Sequence, residues 1–182
     1  HKVSKNIPAY IGLNIENTLW LMLWPLFLAI FVLPGARVFV EVGLLASISV
    51  IASALAAHAI GKTVDNKKGR TLLRYSASIN TLVYVVRLFV TSYPMALITN
   101  VTNEVVTMGY RLPFTKGVYD QADDLPGYRI VYISSMEVIG CMGKALAWWI
   151  LVILGLVLST RQVITVGFAI AAIASLFIMT EK

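Results

Sequence analysis

Amide and charged side chains lie inside apolar stretches of this sequence, where burying an ionisable group in lipid costs about 2.5 kcal/mol or more. In one stretch Asn100, Asn103 and Glu104 fall at helical spacing, together with Thr107 further along. They therefore share one helix face, while the other faces are aliphatic. Counted from Met95, Glu104 lies ~14 Å along a helix, which is near the middle of a bilayer.

A second apolar stretch carries Glu137, Cys141 and Lys144 on one face, with Lys144 ~21 Å from the start of a helix beginning at Ile130. Two interpretations of Glu104 and Lys144 remain open. They form a structural ion pair that neutralises both charges, or they face a water-filled path in which Glu104 binds a proton or a cationic group.

The first apolar stretch places Asn17, Trp20 and Trp24 at i, i+3 and i+7. This spacing suits the wall of a cavity, and it equally suits an aromatic belt at the membrane interface. The sequence does not decide between these two roles.

These residues need helices to position them, and the composition indicates membrane helices. The 182 residues are 58% hydrophobic, with a mean hydropathy of +0.80. About 20 apolar residues span a ~30 Å hydrocarbon core as a helix. We therefore predict an all-α, polytopic membrane protein: one domain, residues 1–182, containing a six-helix bundle. Residues 1–16 are predicted to be an interfacial lead-in, and the helices to cover about 17–33, 38–60, 72–90, 95–114, 130–158 and 163–180.

The charge pattern predicts the orientation. Lys and Arg number 15 against 9 Asp and Glu, and with six spans the basic residues segregate to one side. Because basic loops stay in the cytoplasm, both termini are predicted to be cytoplasmic and the chain to lie in the inner membrane. The opposite side carries Arg37 and Arg161, and the cytoplasmic side carries eleven: Lys2, Lys5, Lys62, Lys67, Lys68, Arg70, Arg74, Arg111, Lys116, Arg129 and Lys182.

Small residues recur every four positions on the second and sixth stretches and predict close helix packing. The small residues are Ser49, Ser53, Ala57 and Gly61 on the second stretch, then Gly167, Ala171 and Ser175 on the sixth, with Gly140 and Gly143 on the fifth stretch.

Arg87 lies near the outer end of the third stretch, and we predict that it pairs with Glu41.

The loop between the second and third stretches, residues 61–70, contains Gly61, Asp65, Gly69 and Arg70. This arrangement resembles the signature loop of the major facilitator superfamily, which joins the second and third helices of each six-helix half on the cytoplasmic side. Asn66 stands where that signature usually has a basic residue, and the loop is more degenerate in the second half of the family. The chain therefore looks like the carboxy-terminal half of such a transporter.

The resemblance implies a secondary active transporter that moves a small solute by alternating access, with the signature loop steadying one conformation. It also implies that the first and fourth helices line the path, with the second and fifth beside them. The expected partners are the solute, membrane lipid, and an amino-terminal six-helix half or a second copy. The residues expected to face the path are Asn17, Trp20, Asn100, Asn103, Glu104, Glu137 and Lys144.

Other functions fit less well. A six-helix channel or a homodimeric half-sized exporter remains an alternative. No nucleic-acid partner, metal or cofactor is expected, and Cys141 alone cannot build a disulfide framework. An intramembrane enzyme is not expected, because the sequence has no HExxH motif and no serine elbow with a partnering histidine. Proton coupling through Glu104 or Glu137 is a further hypothesis. The sequence does not identify the solute, the coupling ion or the direction of transport.

Overall fold

The computed structural model describes residues 6–33, 35, 37–63, 69–125 and 127–180, and in these ranges the chain is helical with short connections. The helices are α1 (Ile7–Phe27, continued by a π-helical turn, Leu28–Val32), α2 (Val38–Thr63), α3 (Gly69–Arg87), α4 (Tyr93–Asp123), α5 (Arg129–Gly155) and α6 (Thr160–Ile178).

Local sequence explains several helix ends. Pro8 and Pro94 lie in the first turns of α1 and α4, where a missing N–H costs nothing. The side chain of Gln162 accepts a hydrogen bond from the backbone N–H of Ser159 at 3.0 Å, which is half of a capping box at the start of α6. Pro25 removes one donor from α1, and the wider π-helical turn follows it.

Two predicted boundaries are wrong. Residues 7–16 are part of α1 rather than an interfacial lead-in, because Ala9, Gly12 and Glu16 face the interior of the bundle. The fourth helix, which contains Pro113, also continues nine residues past 114, to Asp123. It continues because Val118 and Ala122 pack in the same apolar cluster as Phe114.

Within the described residues, four helices are long and apolar enough to cross a membrane: the first, second, fifth and sixth. Their outward faces are rich in large apolar side chains, such as Phe39 at 87% exposure and Ile130 at 79%. A water-soluble monomer rarely leaves so much apolar surface uncovered. The chain is therefore an all-helical protein of membrane type over its described residues, whereas α3 and α4 are more polar.

The packing partners of the helices repeat when α1, α2 and α3 are exchanged with α4, α5 and α6. α1 packs against α5 and α6, α4 packs in the same way against α2 and α3, and α3 packs against α6. The lighter contact between α5 and α6 has no counterpart of similar extent between α2 and α3 in the described ranges. Because α1 and α4 are antiparallel in the bundle, this pattern is that of an inverted repeat of three helices.

Small residues allow the close contacts that the sequence predicted for the fifth and sixth helices. A Cβ on Gly143 would lie 2.8 Å from the Ile11 side chain, and one on Gly140 would lie 2.6 Å from Asn14. A Cβ on Gly167 would likewise overlap the side chain of Leu23. On α2 the prediction fails at Gly61, because no atom of the described chain lies within 4 Å of the place that its Cβ would occupy.

Candidate functional site

Two apolar clusters fill the two ends of the bundle, and a layer of buried polar side chains separates them. On α1 the layer contains Glu16, between Tyr10 of one cluster and Leu19 of the other. The same order holds on α4 and α6, and at Asn80 on α3, whereas Tyr84 and Arg87 extend the polar set into the cluster that contains Leu19. We call this set the polar layer: Glu16, Asn80, Tyr84, Arg87, Asn103, Glu104, Thr107 and Ser175.

Glu16 is the most strongly hydrogen-bonded member of the polar layer. Its Oε1 atom accepts hydrogen bonds from the Tyr84 hydroxyl at 2.6 Å and from Asn80 Nδ2 at 3.0 Å. Asn80 Nδ2 also lies 3.2 Å from the hydroxyl of Ser175, which donates to the Ala77 carbonyl at 2.9 Å. One carboxylate thus joins α1, α3 and α6, and hydrogen bonds to a charged acceptor are about twice as strong as neutral ones.

Arg87 is fully buried, with 0% of its surface exposed. Its guanidinium carbon lies 4.7 Å from the centroid of the Trp24 ring and 4.8 Å from that of Tyr84, so the cation is stacked between aromatic groups. None of its three nitrogens has a hydrogen-bond acceptor within the described residues. Its charge interacts with that of Glu16. The predicted pair with Glu41 is therefore wrong, and Arg87 lies in the interior instead of at the interface.

Glu104 is buried, with 8% of its surface exposed, and it makes no ion pair with Lys144. The predicted structural pair is wrong because the charges that act on Glu104 are those of Arg87, Arg111 and Glu16. Lys144 is half-buried on α5. The positive charge that compensates the buried carboxylates is that of Arg87 on α3. This helix was not among those expected to line or flank the path.

A cavity of about 280 Å³ lies between α1, α2 and α4, and we call it the α2 cavity. Of the predicted path residues, Trp20, Asn100 and Glu104 line it. The rest of its wall is mostly aliphatic or aromatic, including Trp24, Leu28, Leu45 and Val50.

A second cavity of about 190 Å³ lies between α1, α4 and α5, and we call it the α5 cavity. Its wall mixes hydroxyl, amide and charged groups, and it includes the predicted path residues Asn17 and Glu137. Glu137 accepts a hydrogen bond from the Tyr10 hydroxyl at 2.6 Å. Glu16 lines this cavity as well, so each cavity holds one of the two buried carboxylates of the polar layer.

The two cavities lie at opposite ends of the bundle. The α5 cavity is lined by the first half of α1 and the second half of α4, and the α2 cavity by the second half of α1 and the first half of α4. Exchange of the two three-helix repeats converts one cavity into the other. Asn103 lies between them, buried, with its Nδ2 3.4 Å from the hydroxyl of Thr107 and its Oδ1 without a partner in the described chain.

Asn100 is the polar anchor of the α2 cavity. Its Oδ1 accepts a hydrogen bond from Trp24 Nε1 at 2.9 Å, and its Nδ2 donates to the hydroxyl of Ser49 and to the Leu45 carbonyl. The small-residue stripe on α2 therefore does more than pack, because Ser49 connects that helix to α4.

No protein-family model matches the chain, and no curated protein or solved structure is significantly similar to it. The assignment of function therefore depends on the geometry of the site and on the pattern of the loop that joins α2 and α3.

The structure describes that loop only in part. Gly61 lies in the last turn of α2, and Gly69 and Arg70 begin α3. Asp65, the acidic residue of the signature, lies outside the described residues. The half-exposed Gly69 and the exposed Arg70 are at the end of the bundle where α4 ends and α5 begins.

Sequence reasoning missed Glu16, Asn80, Tyr84 and Arg87 as site residues. The signal was present on α3, because Ser76, Asn80, Tyr84 and Arg87 recur at three- and four-residue intervals and form one helix face. That face is buried, whereas the large apolar side chains of Ile79, Leu82 and Val86 are exposed. A polar stripe on an apolar helix indicates an interior polar path when the helix lies in lipid.

We expect Asn100→Leu to destabilise the protein by about 1–3 kcal/mol, because it leaves the Trp24 N–H unpaired inside the bundle and removes the hydrogen bond from α4 to the Ser49 hydroxyl. Thermal unfolding of the purified protein in nanodiscs, followed by tryptophan fluorescence, measures the change. Asn17→Leu is the matched control, since Asn17 is only half-buried at the wall of the α5 cavity. Equal unfolding midpoints for the two variants would show that the Asn100 contacts contribute no stability.

Proposed function

We propose that this chain is a secondary active transporter, or the six-helix half of one, that moves a small solute across the cytoplasmic membrane by alternating access. The observation that carries the proposal is the pair of cavities at opposite ends of the bundle, each reaching one buried carboxylate of a shared polar layer. A solute passing from one cavity to the other has to cross this layer.

The inverted packing of α1–α3 and α4–α6 supports the same function. Six-helix halves of major facilitator transporters are built from two inverted three-helix repeats, and a pseudo-symmetric scaffold has two similar conformations related by exchange of the repeats. The resemblance of residues 61–70 to the signature loop of that superfamily agrees with this architecture. On this proposal all six helices cross the membrane, including the polar α3 and α4.

The positive-inside rule supports the proposed orientation, with the α5 cavity facing the cytoplasm. The exposed residues Arg70, Arg74 and Arg111 lie toward the end of the bundle where that cavity is found, and Arg37 and Arg161 lie toward the other. The cytoplasmic (inner) membrane is therefore the proposed location.

The exposed faces of α2 and α5 support the proposed partner. Most of the apolar surface of these helices remains uncovered by the rest of the bundle, and each flanks one cavity. A second six-helix bundle laid against them, from the same chain or from a second copy, would close the solute path and cover both faces.

For proton coupling, the burial of Glu104 favours this residue over Glu137. Glu104 is buried beside one shared cation, whereas Glu137 is exposed and its carboxylate is already hydrogen-bonded to Tyr10. A carboxylate that must lose its charge before it moves through a dry layer is a suitable carrier of a proton.

The test is side-specific labelling of single cysteines. In a Cys141→Ser background, Ser53→Cys reports on the α2 cavity and Asn17→Cys on the α5 cavity. We expect an impermeant maleimide to label S53C in intact cells and N17C in inverted vesicles. Conditions that raise one labelling rate, such as a change of pH, should lower the other.

Two exposed positions outside the cavities serve as controls for reagent access: Ser159→Cys and Tyr128→Cys. They lie at opposite ends of the bundle, and their rates should not change with pH beyond the chemistry of the reagent. Labelling of both cavity cysteines from both sides at once would indicate a channel. Absence of labelling at both, with the controls reactive, would show closed apolar voids and refute the transporter proposal.

A further inference from the structure

We infer that the α2 cavity binds a small organic cation with an apolar body, such as a quaternary ammonium compound, with Glu104 as its counter-ion. The inference rests on the proposed transport function and names the class of solute. It follows from three independent properties of the cavity: its lining, its charge balance and its aromatic groups.

The lining selects an apolar ligand. The wall consists mainly of aliphatic and aromatic side chains, and the polar exceptions on α2 are the hydroxyls of Ser49 and Ser53. Glu104 supplies the charge of this wall, whereas the wall of the α5 cavity includes Arg111 as well as carboxylates. A strongly hydrated solute would lose its water shell in the α2 cavity without replacement, and an anion would meet a like charge.

The charge balance leaves Glu104 short of a counter-ion. Two buried carboxylates, Glu16 and Glu104, share the single buried guanidinium of Arg87 in this part of the described structure. Glu16 also receives hydrogen bonds from Tyr84 and Asn80 at its Oε1 atom. Glu104 receives no hydrogen bond from Tyr84 or Asn80. The other cation that acts on Glu104 is Arg111, which is exposed. A bound cation would complete the balance.

The aromatic groups suit a cation that cannot donate hydrogen bonds. Trp20 and Trp24 both line the cavity, and indole rings attract cations more strongly than other side chains do. The Trp24 ring already carries one cation, since Arg87 lies 4.7 Å from its centroid. The indole N–H of Trp20 is buried without an acceptor in the described residues, so it remains free for a polar substituent of the ligand.

Equilibrium binding tests the inference without any gradient or transport. Tritiated phenyltrimethylammonium is titrated onto the protein in nanodiscs, with empty nanodiscs as the blank, and tert-butylbenzene serves as a neutral competitor of the same shape. We expect saturable binding, a loss of affinity of at least about tenfold in Glu104→Gln, and about three- to fivefold in Trp20→Leu. The neutral competitor should displace the cation only weakly.

Asp120→Asn is the matched control, because it neutralises an exposed carboxylate that lines neither cavity, and its affinity should stay within about twofold of wild type. Ala46→Phe fills part of the α2 cavity while Glu104 itself is kept, and it should abolish binding, which keeps the test valid if E104Q does not fold. Unchanged affinity in E104Q, or equal displacement by tert-butylbenzene, would overturn the inference and mark the cavity as a groove for lipid chains. If the two cavity cysteines show opposite changes in labelling rate but no cation binds, the inference about the solute is wrong and the transport proposal remains, with a different class of solute.

Discussion

Arg87→Met is expected to destabilise the protein by about 3–5 kcal/mol, because it removes the positive charge shared by two buried carboxylates. Methionine keeps much of the apolar volume between the rings of Trp24 and Tyr84, so the loss reports on charge rather than on a cavity. Thermal unfolding in nanodiscs at neutral pH measures it.

Two further variants make this result specific. Arg74→Met removes an exposed arginine from the same helix and should change stability by less than about 0.5 kcal/mol. Arg87→Met combined with Glu16→Gln should recover part of the loss, because it also removes one of the two buried carboxylates that R87M leaves without their shared cation. If R87M were as stable as R74M, the charge balance assigned to the polar layer would be wrong.

Gly12→Val is expected to destabilise the protein by about 3 kcal/mol, since α1 and α6 touch through their backbones at this position. A Cβ on Gly12 would lie 2.6 Å from the carbonyl oxygen of Ala174 and 2.9 Å from the Cβ of Phe177. Neither atom belongs to the flexible end of a side chain, so the helices themselves would have to separate. The midpoint of thermal unfolding and the yield of monodisperse protein both report the change.

Gly43→Ala provides the contrast, because nothing in the described structure lies within 4 Å of the place that its Cβ would occupy. Alanine is the better helix former, so this variant should be neutral or more stable by up to about 1 kcal/mol. Equal losses in the two variants would mean that glycine acts through chain flexibility and not through the α1–α6 contact.

The charge-rich face of α4 shows what can be predicted from sequence. Asn100, Asn103 and Glu104 were expected on one face of the helix, because helical periodicity converts spacing directly into direction, and in the structure all three are buried. Their partners could not be predicted. Glu104 interacts with Arg87 of α3 rather than Lys144 of α5, since the choice depends on which helices become neighbours.

The start of α1 shows a second limit. Asn6 to Glu16 contains enough polar residues to resemble an interfacial segment, yet it is helical and packed. In a bundle with a polar layer, a polar residue can face the interior and an apolar one can face lipid, so hydropathy alone misplaces the boundary.

Composition and periodicity by themselves determined that the protein is helical and of membrane type, and that Asn100, Asn103 and Glu104 share one face of α4, because these properties depend on neighbours along the chain. Tertiary structure alone decided that Glu16, Arg87 and Glu104 form one charge cluster between two cavities. These residues come from three helices, and only the packing of α1, α3 and α4 brings their charges close enough to compensate one another in a medium that screens them poorly.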